Sequence, residues 1–138
     1  KVSPERTTMI GILLICHGTF GESLVQNACH VLNKRPPQLA QLGLAAQDDP
    51  LDLLPMARRL LAEVDSGEGV LILTDILGAS PANLAAKLLE AGHIEGIAGV
   101  NLPMFLRVLT YRTHDMATLL QKGISGGHDG VVNMLHSH

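Results

Sequence analysis

Residues 9–16 form an unbroken apolar run, MIGILLIC, which is the pattern of a strand covered on both faces and so of a central parallel strand. Gly18 and Gly21 break the run, and from Glu22 the apolar residues Leu24, Val25, Ala28, Cys29 and Leu32 recur at helical spacing. Pro36 and Pro37 stop that helix, and residues 39–45 suit a short strand. Asp52 is positioned to cap a second helix with Pro55 in its first turn, its apolar face being Leu53, Leu54, Ala57, Leu60, Leu61 and Val64. Residues 70–74 give another buried strand, which stops at Asp75. Ser80 and Pro81 then open a helix running through Leu84, Ala85, Leu88 and Leu89 to a stop at Gly92. Residues 96–100 form a further strand, 104–109 and 115–122 are helical stretches, and 130–135 is a last short strand candidate. Strands alternating with helices at this spacing predict an α/β fold of three layers, an open and mainly parallel sheet with helices on both faces.

Composition bounds this picture. With 138 residues, 46% of them hydrophobic, the chain suits one domain over residues 9–135. Residues 1–8 are polar and read as a leader, and 136–138 as a frayed terminus. Cys16 and Cys29 are the only cysteines and neither starts a CxxC spacing, so a disulfide or zinc scaffold is disfavoured and a reducing cytoplasm is expected. No apolar run reaches the roughly 18 residues a bilayer demands. A formal charge of −3, no long basic run and three aromatics (Phe20, Phe105, Tyr111) give no footing for nucleic acid. The histidines other than His17 share no metal-ligand spacing. The glycines match neither GxxxxGK[ST] nor GxGxxG, so neither a nucleotide motif nor a cofactor is indicated.

In open parallel sheets ligands bind beyond the carboxyl ends of the strands, where the connections diverge. His17, Asp75 and Asn101 each follow such an end. In the common strand order 2-1-3-4, His17 and Asp75 face each other across the crevice. A carboxylate that fixes one ring nitrogen as donor leaves the other unprotonated and nucleophilic. Backbone N–H groups around Gly18, Thr19 and Gly21, together with the Ser80 hydroxyl, are placed to receive an anion. The pattern points to a histidine that accepts a phosphoryl group. Helix capping is the competing role for Asp75 and Ser80, and fixing a turn is the competing role for Asn101. Asn101, Pro103 and Met104 are candidates to line the site, with core or dimer packing as the alternative for Met104.

Three segments in register carry a family resemblance. Ile15-Cys16-His17-Gly18-Thr19, then Thr74-Asp75-Ile76-Leu77-Gly78-Ala79-Ser80-Pro81, then Ala98-Gly99-Val100-Asn101-Leu102-Pro103-Met104 resemble the mannose-type enzyme IIA component of the bacterial phosphoenolpyruvate-dependent sugar phosphotransferase system. The resemblance spans residues 9–135. It implies a cytoplasmic phosphocarrier that takes a phosphoryl group from the histidine-containing phosphocarrier protein and passes it to an enzyme IIB domain. It matches His17 to the phosphorylated histidine (on Nε2), Asp75 to the carboxylate on the other nitrogen, and Ser80 to a serine beside the phosphate. It also implies a homodimer in which the last strand crosses to the partner, residues 130–135 serving here, and contact with the membrane only through permease components. Ile76 stands where the family often carries a hydroxyl. Two other functions compete: a regulatory phosphorelay module without sugar transport, and a tetrapyrrole metal chelatase, which also has a His-Gly turn after its first strand but needs further histidines facing the site and gives no reason for residues 75–81.

Overall fold

The computed structural model describes residues 8–136. Four strands, β1 (Gly11–His17), β2 (Leu39–Leu44), β3 (Val70–Thr74) and β4 (Ile94–Ala98), form one sheet in the order β2-β1-β3-β4, and every pairing is parallel. Six of the seven residues of β1 and all five of β3 are buried, as continuous apolar runs require of strands covered on both faces. Helices α1 (Phe20–Leu32), α4 (Leu102–Tyr111) and α5 (Met116–Asp129) pack against Ile12, Leu14, Cys16, Leu71 and Leu73 on one face. Helices α2 (Leu54–Val64) and α3 (Ser80–Ala86) pack against Leu13, Ile15, Val70 and Ile72 on the other. The expected three layers and the order 2-1-3-4 are what forms.

The differences have local causes. Helix α2 is preceded by a 3-10 turn, Pro50–Leu53, whose cap is Asp49 rather than Asp52, its carboxylate accepting from Leu51 N at 3.0 Å. Helix α3 ends at Ala86, not near Gly92, because the amides of Lys87 and Leu88 turn to carbonyls three residues back, a tightening typical of a helix end. Helix α5 continues past Lys122 through three glycines. A Cβ on Gly123 would sit 2.8 Å from Ile97 Cδ1, and one on Gly127 2.9 Å from Met104 Cε. The glycines therefore let α5 lie close on α4 and β4, and tertiary packing overrides their poor helix propensity.

That extension corrects the expectation of a C-terminal strand in residues 130–135. The chain leaves α5 at Gly130, 131–133 have no regular structure, and Met134–His136 is a 3-10 turn. Val131, Val132, Met134 and Leu135 are more than half exposed. No edge of this chain's own sheet is paired with them among the described residues.

At the amino end of the sheet Arg112 is buried without a carboxylate partner among the described residues. Its guanidinium donates to the carbonyls of Ile10 (3.0 Å), Pro37 (2.7 Å) and Gln38 (2.7 Å). Burial lowers its pKa to about 10. This side chain ties the end of α4 to the starts of β1 and β2 and fixes Gln38, a non-glycine residue held in the left-handed region at a φ of 50°.

Candidate active site

Parallel pairing puts the ends of β1, β2, β3 and β4 at one rim of the sheet. His17 closes β1 there with its side chain 50% exposed, and Asp75 follows β3 with its side chain 16% exposed. Their separation in sequence vanishes because β1 and β3 are neighbours: Asp75 Oδ2 lies 2.8 Å from His17 Nδ1 and accepts the His17 backbone N–H at 3.0 Å. Burial pushes the Asp75 carboxyl up, but the backbone and ring donors of His17 outweigh it and hold the group below the ordinary carboxylate range. An ionised carboxylate can only accept, so Nδ1 carries the hydrogen and, in the neutral ring, Nε2 keeps its lone pair. Nε2 bonds to nothing among the described residues. Asp75 Oδ1 is buried with no partner among them.

The cradle is assembled in part. Gly18 holds φ 50° and its N–H donates to the Leu44 carbonyl at 2.8 Å. Its own carbonyl presses on Gly43 of β2, where any Cβ would collide. The signal for Gly43 was present, a lone glycine inside a strand pattern marking close backbone approach. Thr19 is exposed and precedes α1 without a side-chain cap, so the first amides of α1 remain open beside His17. Gly21 is buried against Leu14 and Cys16 and belongs to the helix rather than to the open cradle. Ser80 is exposed as the first residue of α3, with no side-chain cap on that helix. Four residues separate it from Asp75 along the chain.

Asn101, Pro103 and Met104 do other work. Asn101 Oδ1 accepts from Met104 N at 2.9 Å and its Nδ2 donates to the Gly127 carbonyl at 3.2 Å. It caps α4 and ties it to α5. Pro103 packs on Gly130, and Met104 is a core residue 5% exposed. The rim loops of β3 and β4 are nonetheless joined, because the Thr74 carbonyl accepts from Gly99 N (2.9 Å) and Val100 N (3.0 Å). Cys16, next to His17, is buried; burial, then the charge of Asp75, push its thiol up to about 12, which leaves it inert. Sequence reasoning missed three exposed apolar neighbours of the pair as a feature: Phe20 at 43%, Ile76 at 56% and Leu77 at 80%.

Residues 11–122 match the family EIIA-man, described as the PTS system fructose IIA component. The chain belongs to this family. This IIA chain is 30% identical over 125 residues to the PTS system mannose-specific EIIAB component of Escherichia coli (strain K12), covering 88% of this chain and 38% of that protein. The chain thus spans well under half the length of that relative. It is 29% identical over 107 residues to the PTS system fructose-specific EIIA component of Bacillus subtilis (strain 168), covering 77% of this chain and 73% of that one. The crystal structure of phosphotransferase system component EIIA from Streptococcus agalactiae superposes with a TM-score of 0.82 at 23% identity, over 94% of this chain and all of that one. At that identity the superposition speaks for the fold. Membership makes the IIA chain a component of a sugar phosphotransferase system and leaves the chelatase alternative without support. No described helix is long and apolar enough to cross a membrane.

Proposed function

We propose that this IIA chain accepts a phosphoryl group on Nε2 of His17 from the phosphorylated histidine-containing phosphocarrier protein and hands it to an enzyme IIB component in the cytoplasm. The observation that carries the reading is the 2.8 Å contact from His17 Nδ1 to Asp75 Oδ2. The Nε2 lone pair attacks phosphorus, the new Nε2–P bond forms as the donor's N–P bond breaks, and that electron pair returns to the donor imidazole. The donor is already a good leaving group, so positioning and charge matter more than acid catalysis. Asp75 keeps the tautomer and balances the positive charge the ring acquires. The open amides at the start of α1, next to Thr19, and the Ser80 hydroxyl receive phosphoryl oxygens, and in the second step the Nε2–P bond breaks in favour of the IIB acceptor.

The same reading includes a homodimer. Past the Glu90–Ile94 bridge the outer edge of β4 is unpaired among the described residues, with a groove of about 410 Å³ lined by Ile97, Ala98, Asn101 and Val131 on its α5 side and one of about 120 Å³ lined by Leu89, Gly96, Ile97 and Ala98 on its α3 side. An extended apolar segment seated on that edge alternates its side chains between the two grooves. Residues 131–135 of a second copy supply such a segment.

Incubation with phosphoenolpyruvate, enzyme I and the carrier protein tests the function. An acid-labile, base-stable phosphohistidine at His17, absent in His17→Gln, is the expected result. Labelling that persists in His17→Gln overturns the assignment. Chase by candidate IIB proteins separates onward transfer from a terminal regulatory mark.

A further inference from the structure

Among the described residues two polar side chains lie in the core, Thr74 and Arg112, each 4% exposed. The Arg112 guanidinium donates to three carbonyls, whereas the Thr74 hydroxyl is buried with no partner. An unpaired hydroxyl in the core costs stability unless something meets it. Thr74 ends β3 on the face of Val70 and Ile72, toward α3, with Ala98 as its neighbour on β4. It lines the groove of about 120 Å³ on the α3 side of the β4 edge, where it supplies the one polar side chain. The walls are largely small residues, Gly96 and Ala98 of β4 and Ala82, Ala85 and Ala86 of α3. A Cβ on Gly96 would stand 3.3 Å from Leu89 Cδ2, so the glycine keeps this slot open.

Residues 131–135, Val-Val-Asn-Met-Leu, hold one polar side chain, Asn133, and it is exposed. Its Oδ1 accepts a local bond from Leu135 N at 3.1 Å, and its Nδ2 bonds to nothing among the described residues. In an extended segment 131, 133 and 135 share one face and 132 and 134 the other, so two facings on the β4 edge exist. One turns Asn133 into the α5-side groove, against Ile97, Met104 and Ile124. The polar side chains there are Asn101, already bonded at both ends, and His128, which is exposed. The other facing turns Asn133 onto the Thr74 hydroxyl and sends Val132 and Met134 into the larger, mostly apolar groove. The second facing alone pairs both groups.

Resting on the homodimer proposed above, we propose that Asn133 of the partner subunit enters the α3-side slot, its Nδ2 donating to Thr74 Oγ1, and that this contact fixes the facing and register of the crossing segment. A slip of one residue exchanges the two faces of a strand. Here it would bury the asparagine amide among apolar side chains and leave the threonine hydroxyl unpaired again. One polar pair in an otherwise apolar contact is a means of choosing register.

The test is subunit exchange between unlabelled and isotope-labelled pools of the full chain, followed by native mass spectrometry. Thr74→Val keeps the shape of the side chain but strands the partner's Asn133, and should speed exchange about tenfold. In an Asn133→Leu background the same change should matter less than about twofold, because no buried amide is then left waiting for the hydroxyl. Thr74→Ser keeps the hydroxyl and should exchange within about threefold of wild type. A Thr74→Val effect that is absent, or equally large in the Asn133→Leu background, overturns the contact and leaves the homodimer standing. The second of these results is what a water or a small molecule seated in the slot would give. A wild type that stays monomeric at every concentration overturns both the contact and the homodimer, and leaves transfer through His17 untouched.

Discussion

Among the described residues there are two imidazole–carboxylate pairs of equal length, one at each end of the sheet. At the carboxyl end His17 Nδ1 meets Asp75 Oδ2 at 2.8 Å, and at the amino end His93 Nε2 meets Asp65 Oδ2 at 2.8 Å. Both rings are partly exposed, 50% for the His17 side chain and 39% for that of His93. The surroundings differ. Asp65 Oδ1 also accepts the amides of Gly67 (2.8 Å) and Gly69 (3.0 Å), while the His93 backbone N–H donates to the Glu90 carbonyl at 2.9 Å and its carbonyl accepts from Val70 N at 2.9 Å. That pair fastens the entries of β3 and β4 together. His17 instead ends its strand beside an uncapped helix start and exposed apolar loops. A fixed tautomer is common to both, so what marks the chemical site is the space and the donors around the ring nitrogen left free.

The largest expected difference is in transfer. Asp75→Asn should slow phosphoryl transfer to His17 by about 100-fold or more, because a neutral amide neither holds the tautomer nor balances the ring charge. Asp65→Asn should leave that rate within about twofold. Quench-flow with labelled carrier protein reads both, and equal losses would erase the distinction.

Next comes stability at the amino end. Arg112→Met removes the guanidinium donors to the carbonyls of Ile10 and Pro37 and one of the two donors to that of Gln38, and should cost about 3 kcal/mol, measured by urea denaturation. Gly18→Ala, at φ 50° with open space around it, should cost only about 1 kcal/mol while slowing transfer by displacing the cradle amides.

The smallest effect is a pH dependence. Burial pushes the Asp65 carboxyl up, but the Gly67 and Gly69 amides and the His93 ring together hold it below its ordinary 3.8. A carboxylate depressed in the folded state stabilises above its unfolded pKa and loses that contribution as pH falls through the folded one. The Tm gap between wild type and Asp65→Asn should therefore be constant near neutral pH and close once pH drops below about 3.8. A gap unchanged at pH about 2 would contradict this role.

Much of this was legible in the sequence. The runs at β1 and β3 announce strands covered on both faces, and β3 falls on residues 70–74 as read. Because a parallel sheet gathers its strand ends at one rim, the His17–Asp75 pair followed from two strand ends and a neighbour rule. The contribution of Asn101 did not follow, since capping and ligand contact use the same side chain at the same place. Gly123, Gly126 and Gly127 hid the end of α5, because propensity knows nothing of the Ile97, Arg107 and Met104 side chains they admit. The apolar residues after Gly130 suggested a strand, but within this chain they pair with no edge of the sheet among the described residues. Arg112 was out of reach, since its acceptors lie 74, 75 and 102 residues away.

Everything functional turns on which nitrogen of His17 holds its hydrogen, and two-bond proton–nitrogen correlation of the imidazole at neutral pH reads that directly. The expected spectrum has His17 protonated at Nδ1 with Nε2 bare, a preference that Asp75→Asn abolishes. A resting ring protonated at Nε2 alone would contradict transfer through that nitrogen.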